Sequence, residues 1–190
     1  MREVVKLGLF LLVTCAIIGL GVSYANVLTK PIILESEKLA QQAGFKEVYA
    51  EADEIQEATQ EYLTSTENSI IKEVNLAYRA GEVVGVIYTV EPRGYSSNLK
   101  TLVGFDIEKN EITNIKILSQ AETPGLGAQA IEPWYVERYS GKSAEADLNV
   151  VKQPPKNENE IQGITSATIT SKAVTQGVNE ARKHFEENFQ

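Results

Sequence analysis

Ile70-Ile71-Lys72-Glu73-Val74-Asn75-Leu76-Ala77-Tyr78 and Val83-Val84-Gly85-Val86-Ile87-Tyr88-Thr89-Val90, joined by Arg79-Ala80-Gly81-Glu82, decide the fold. Both runs are rich in β-branched and aromatic residues, and the short polar link between them predicts a β-hairpin. A second hairpin follows: Leu102–Ile107 and Ile112–Leu118 flank Glu108-Lys109-Asn110-Glu111, with Asn110 suited to a left-handed turn position. Ile112, Ile115 and Ile117 alternate against Thr113, Asn114 and Lys116 with one slip of phase, the mark of a bulge. Beyond the hairpins, Ala121–Gly127 holds Pro124 and two glycines and is read as irregular. Trp134–Tyr139 reads as a short helix, and Ser140–Glu160 as a loop around one short strand, Leu148–Val151. The chain then enters an amphipathic helix whose apolar side is Ala173, Val174, Gly177, Val178, Ala181 and Phe185, with Thr170 or Ser171 as its cap and His184 on a polar face. Hairpins followed by a docking helix predict an α+β domain with an antiparallel sheet and flanking helices.

The front of the chain obeys a different pattern. No charged residue occurs from Leu7 to Thr29; as a helix this run would be roughly 30 Å long, enough to cross a bilayer core. It exceeds the ~7–15 residues of a signal-peptide core, so a retained single transmembrane helix is expected, although Ser23-Tyr24-Ala25 would suit cleavage. Arg2 and Lys6 precede the span and place the N-terminus in the cytoplasm, the remaining domain being extracytoplasmic. The expected organisation is an anchor over 1–30, a helical connector over 31–66 in which a helix continues or restarts after Pro31, and a folded domain over 67–190. Within the connector, 47–62 gives only a weak helical or loop signal.

Charge and composition exclude several functions. The chain carries 18 basic and 26 acidic side chains, of which three and one fall in residues 1–30, leaving the remainder with 15 and 25, a net charge of −10. Nucleic-acid phosphates need a basic surface, so nucleic acid is not an expected partner. The single cysteine, Cys15, sits in the apolar run, and His184 is the one histidine. Iron–sulfur ligation is thereby excluded, and a zinc site or a histidine-based hydrolytic triad is disfavoured. No metal site is expected, and redox chemistry would come from an organic cofactor.

Three segments have unusual backbone demands and side chains that are neither core nor solvating: Gly94-Tyr95-Ser96-Ser97, Glu122-Thr123-Pro124-Gly125-Leu126-Gly127 and Gly163-Ile164-Thr165-Ser166-Ala167-Thr168-Ile169-Thr170-Ser171. Two follow strands and one opens a helix, so they can converge on one rim of the sheet. Taken singly, the first is an ordinary turn with an aromatic, the second a tight turn, and the third a helix cap. Five hydroxyls are nevertheless more than a cap requires, and the start of a helix, with free N–H groups and a positive dipole end, favours a phosphate.

Together Gly94-Tyr95, Glu122-Thr123-Pro124-Gly125-Leu126-Gly127 and Thr165-Ser166-Ala167-Thr168 resemble, in order, the signature segments of membrane-anchored FMN-binding domains. The likeness runs over the whole chain and is to the G subunit of Rnf-type ferredoxin:NAD oxidoreductases, with the C subunit of sodium-translocating NADH:quinone reductases as a relative. It implies that 67–190 is an FMN-binding domain and that FMN is joined by a phosphoester to Thr168, through a separate flavin transferase that uses FAD. Thr165, Ser166, Ala167, Thr170 and Ser171 would surround the phosphate. Glu122 would accept hydrogen bonds from the ribityl chain, with Thr123, Gly125, Leu126, Gly127, Gly94 and Tyr95 near the flavin. Four positions depart from the family pattern: Ser166 stands where glycine is usual, Gln162 where aspartate is usual, and Ser96 and Ser97 where the pattern is richer in glycine.

The resemblance further implies an electron-transfer subunit of an ion-translocating redox complex in the cell membrane, with no substrate turnover of its own. Its partners would be polytopic membrane subunits and a second flavin-bearing subunit. One span without an intramembrane carboxylate offers no ion path, so transport of sodium or protons would belong to those partners. The competing readings are a non-redox structural subunit that has lost the flavin, the related quinone-reductase subunit, and an extracytoplasmic reductase acting on a small molecule.

Overall fold

The structure, a computed structural model, describes residues 2–63 and 69–190. The boundary expected between 66 and 67 lies outside the described residues. The chain divides into two compact units, Met1–Gln41 and Gln42–Gln190.

The first unit is helical. Helix α1 (Arg2–Val48) runs through Pro31 without restarting, so of the two readings the continuous one holds. Leu7, Phe10, Leu11, Ile17, Ile18 and Leu20 are all exposed. The charge-free stretch 7–29 is apolar all round, a pattern that fits a lipid environment, and α1 is long and apolar enough to span a membrane.

The second unit is built on a five-stranded antiparallel meander: β1 (Glu54–Glu57), β2 (Ile71–Arg79), β3 (Glu82–Val90), β4 (Lys100–Asp106) and β5 (Glu111–Ser119), paired in sequence order. Both predicted hairpins are present. The β2–β3 reversal pairs Arg79 with Glu82 through Ala80 and Gly81, both at positive φ, and Asn110 at φ 52° turns β4 into β5. The phase slip in β5 is a bulge: Gly104 faces Asn114 while Phe105 faces Ile112, leaving Thr113 over. Its hydroxyl donates to the Val48 carbonyl at 2.7 Å, tying the end of α1 to the sheet. β1 was not expected; its Glu54-Ile55-Gln56-Glu57 is acidic and only Ile55 alternates inward, so the strand is held by pairing with β2 rather than by an apolar face.

Helix α4 (Thr168–Phe189) covers one face of the sheet, burying the predicted stripe Ala173, Val174, Gly177, Val178, Ala181 and Phe185. Phe185 stacks on Phe105 of β4 at 4.8 Å between centroids. The other face is closed by Val48 and Tyr49 over Ala77, Ile87 and Leu102. His184 is half-buried, not on a solvated face: its ring nitrogens meet the Tyr88 hydroxyl at 3.0 Å and the Tyr62 carbonyl at 3.2 Å. Tyr62 lies in the short helix α2 (Thr59–Tyr62).

Between β5 and α4 the chain forms a 3-10 turn (Gly127–Ile131), helix α3 (Pro133–Val136) and two short strands, β6 (Asn149–Val151) and β7 (Glu160–Gln162), that pair in parallel. β6 was expected and β7 was not, because Glu160-Ile161-Gln162 offers a single apolar residue in a polar stretch. Arg182 fastens this region to α4. Its guanidinium is buried and meets Asp147 at 2.7 Å, Glu186 at 2.8 Å and the Ala144 carbonyl at 3.1 Å.

Candidate functional site

Glu122 is the centre around which the loops are arranged. It follows β5, is 6 % exposed, and points back under the loop after β3. One carboxylate oxygen accepts the N–H of Ser96 (2.8 Å) and Ser97 (3.1 Å); the other accepts the N–H of Tyr95 (3.2 Å) and the Thr170 hydroxyl (2.6 Å). A carboxylate has about four acceptor positions, and all are filled. Burial would raise its pKa, but the donated hydrogen bonds from Thr170, Ser96, Ser97 and Tyr95 outweigh burial and hold it below the ordinary value. Glu122, expected to accept hydrogen bonds from ribityl hydroxyls, here accepts four from its own chain and joins the loop 94–97 to the first turn of α4.

Two glycines make room for it. A Cβ on Gly94 would stand 2.7 Å from one Glu122 oxygen, and a Cβ on Gly127 would stand 2.7 Å from the other and 2.5 Å from the Thr170 hydroxyl. The glycines therefore make room for the Glu122 side chain, and Gly127 for the Thr170 hydroxyl as well. Other local bonds complete the frame. The Ser97 hydroxyl accepts the Ala121 N–H at 2.8 Å, and the Gln129 amide donates to the Gly125 carbonyl at 2.7 Å.

The start of α4 differs from the expected cap. The helix begins at Thr168, with Ala167 before it and no side-chain cap. Thr170 and Ser171 lie inside the first turn and are buried. The Ser171 hydroxyl accepts the Ile164 N–H at 2.9 Å and donates to the Ala167 carbonyl at 3.0 Å, folding the Gly163–Ala167 loop onto the helix. These two hydroxyls hold the turn together, Thr170 through Glu122 and Ser171 through Ile164 and Ala167. Ser166 has a positive φ of 63°, a conformation that glycine adopts without strain and serine does not.

The three segments do meet. They enclose a cleft of about 500 Å³ lined by Tyr95, Glu122, Thr123, Leu126, Gly127, Ser166, Ala167, Thr168, Ile169 and Thr170, a size within the usual range of roughly 300–1,000 Å³ for small-molecule sites. Tyr95, Leu126 and Ile169 are exposed and give it an apolar mouth. Thr168 is half-buried in its wall, at a helix start whose first N–H groups have no partner within the helix. Gly94, Gly125, Thr165 and Ser171 do not line the cleft; Gly94 and Ser171 shape it from behind, and Gly125 (φ 76°) forms the turn. Ile169 was missed from the sequence, where it reads as one more apolar residue of the helix. Among the described residues no group of three or more His, Cys, Asp or Glu suited to a metal occurs.

The composition of this cleft suits a flavin nucleotide: an apolar mouth for a ring system, a half-exposed threonine hydroxyl at a helix start for a phosphate, and a wall held rigid by Glu122. Comparisons with known proteins agree. The FMN-binding domain family matches residues 94–183. The chain is 36 % identical to the G subunit of the Na(+)-translocating ferredoxin:NAD(+) oxidoreductase complex of Acetobacterium woodii, over 94 % of this chain and 89 % of that one. It is 30 % identical to the G subunit of the proton-translocating ferredoxin:NAD(+) oxidoreductase complex of Clostridium ljungdahlii, over 90 % and 85 %. The fold is shared with the crystal structure of the C subunit of the Na(+)-translocating NADH-quinone reductase of Parabacteroides distasonis, with a TM-score of 0.56 at 21 % identity over 72 % of this chain and 77 % of that one. The chain belongs to the family of FMN-binding G subunits of ion-translocating ferredoxin:NAD(+) oxidoreductase complexes.

Proposed function

We propose that this chain is the membrane-anchored electron-transfer subunit of an Rnf-type ion-translocating complex and carries FMN as a phosphoester on Thr168. The observation that carries the reading is the convergence of the three loops on one cleft with the Thr168 side chain in its wall. When bound, FMN supplies electron transfer in steps of one or two electrons. Tyr95, Leu126 and Ile169 would hold its ring, and Thr168 its phosphate. The ester would join Thr168 Oγ to the phosphorus as a flavin transferase displaces AMP from FAD, the hydroxyl proton being released.

The residues around the cleft position rather than react. Glu122 keeps the 94–97 loop against α4, so the cleft is formed before any ligand enters. Its charge is satisfied by four donors, which leaves it without a proton to give or an acceptor site to offer. Electrons would pass to and from neighbouring subunits, among them polytopic membrane subunits and a second flavin-bearing one. The α1 helix would anchor the domain on the extracytoplasmic side, with the N-terminus in the cytoplasm.

The experiment is co-expression with a flavin transferase, followed by intact mass and peptide mapping. A gain of one FMN, lost in Thr168→Ala, is expected. A non-extractable flavin that persists in Thr168→Ala refutes the assignment. The structural-subunit reading rests on Ser166 and Gln162, and a wild-type chain that gains no flavin beside an active transferase would favour it.

A further inference from the structure

Thr168 stands in the walls of two cavities, and the second has a different chemistry. It measures about 440 Å³ and is bounded by Val150, Val151, the loop Gly163–Ser166, Thr168, and two lysines, Lys152 and Lys172. The parallel β6–β7 ribbon creates it. Val151 pairs with Gln162 and accepts the Gly163 N–H at 2.8 Å, which sets Lys152, the next residue, beside the Thr165–Thr168 loop. Lys172 arrives from the opposite side, one turn into α4.

Several lysines of this acidic chain are paired with carboxylates. Lys109, Lys116 and Lys183 each meet a glutamate. Among the described residues, Lys152 and Lys172 enter no ion pair and no side-chain hydrogen bond. Two cations and the hydroxyls of Thr165, Ser166 and Thr168 thus line one cleft with no anion supplied by the protein. Like charges sharing a cleft repel one another, and an oxyanion between them relieves that repulsion while accepting charge-assisted hydrogen bonds.

We propose that this second cleft is an oxyanion site in which Lys152 and Lys172 bind the phosphate of the flavin nucleotide while the apolar cleft takes the ring. The proposal rests on reading Thr168 as the ester acceptor, because Thr168 is where the two clefts meet. The two lysines are positioning residues: they would hold the phosphorus against Thr168 before attachment and neutralise the phosphodiester after it. The unexpected strand β7 thereby acquires a purpose, since without its pairing Lys152 has no fixed position.

The test separates phosphate from ring. The full chain in detergent, without transferase, is titrated calorimetrically with FMN and with riboflavin, which differ only in the phosphate. FMN should bind more tightly, each lysine contact contributing roughly tenfold. That advantage should fall towards unity in the Lys152→Gln/Lys172→Gln double variant, survive in the Lys→Arg double variant, and shrink with added salt. Inorganic phosphate should compete with FMN and not with riboflavin. Equal binding of the two flavins by the wild type, or an FMN advantage unchanged in the glutamine double variant with an unaltered near-UV spectrum, overturns the proposal. Failure of the ester assignment looks different: no flavin mass on Thr168, with the lysine-dependent preference for FMN intact.

Discussion

Replacing Glu122 by glutamine keeps the shape of the side chain and turns one acceptor into a donor, so its cost can be worked from the four bonds. With the amide nitrogen at the position of the oxygen that serves Ser96 and Ser97, two backbone N–H groups lose their acceptor. With the nitrogen at the other oxygen only the Tyr95 N–H is orphaned, because the Thr170 hydroxyl can rotate and accept. The second arrangement is the expected one. One orphaned donor in this part-buried position costs about 1–3 kcal/mol at most. The bonds to Ser96 and Ser97 also lose their charge assistance, about 0.5–1 kcal/mol each, for a total of about 2–5 kcal/mol. Urea unfolding followed by the fluorescence of Trp134, the single tryptophan, reads the change as a shift in midpoint at constant slope. Hydrogen exchange at the Tyr95, Ser96 and Ser97 amides locates it. A loss below about 0.5 kcal/mol together with unchanged exchange at those amides would show that Glu122 does not hold the loop.

The same carboxylate sets an acid dependence. Its folded-state pKa is held down by the hydrogen bonds it accepts, so its contribution is complete above the unfolded value of about 4.3 and is lost as pH falls through the folded value. Glu122→Gln should therefore lose stability less steeply than wild type over that interval, and parallel curves would contradict the assignment. Gly127→Ala brings a Cβ to 2.5 Å from the Thr170 hydroxyl and 2.7 Å from Glu122. It should cost about 1–3 kcal/mol and weaken FMN binding in calorimetry, whereas a neutral outcome would mean the turn yields freely. Ser166→Gly relieves a left-handed serine and should raise stability by about 0.5–1 kcal/mol, seen as a higher melting temperature; an unchanged or lower one argues that the serine side chain has a compensating bond.

Much of the fold was legible because the two hairpins and α4 each bury a face long enough to impose a period. The β5 bulge was visible as well, since one extra residue shifts every later side chain to the other face. β1 and β7 were not, because their order comes from pairing and not from side-chain pattern. The convergence of the three loops could be read from their special residues. The role of Glu122 could not: a lone glutamate before Pro-Gly looks the same whether it faces a ligand or four donors of its own chain. Thr170 and Ser171 misled for a related reason. Hydroxyls near a helix start suggest a cap, and only the positions of Ile164 and Ala167 show that Ser171 closes the loop behind it. Lys152 carries no local signal at all, because its neighbour in space is supplied by a strand ten residues further on.

The order of elements along the chain has a consequence for biogenesis. All five strands of the meander lie within residues 54–119, each paired with the one before it. The cleft is different in kind, since its rear wall is the opening turn of a helix that leaves the ribosome after every strand of that ladder. A nascent or truncated product ending before that turn would hold every strand and Glu122, but neither Thr168 nor Thr170 to close the cleft. If the flavin is esterified to Thr168 as proposed, only chains whose synthesis has passed that turn can carry it.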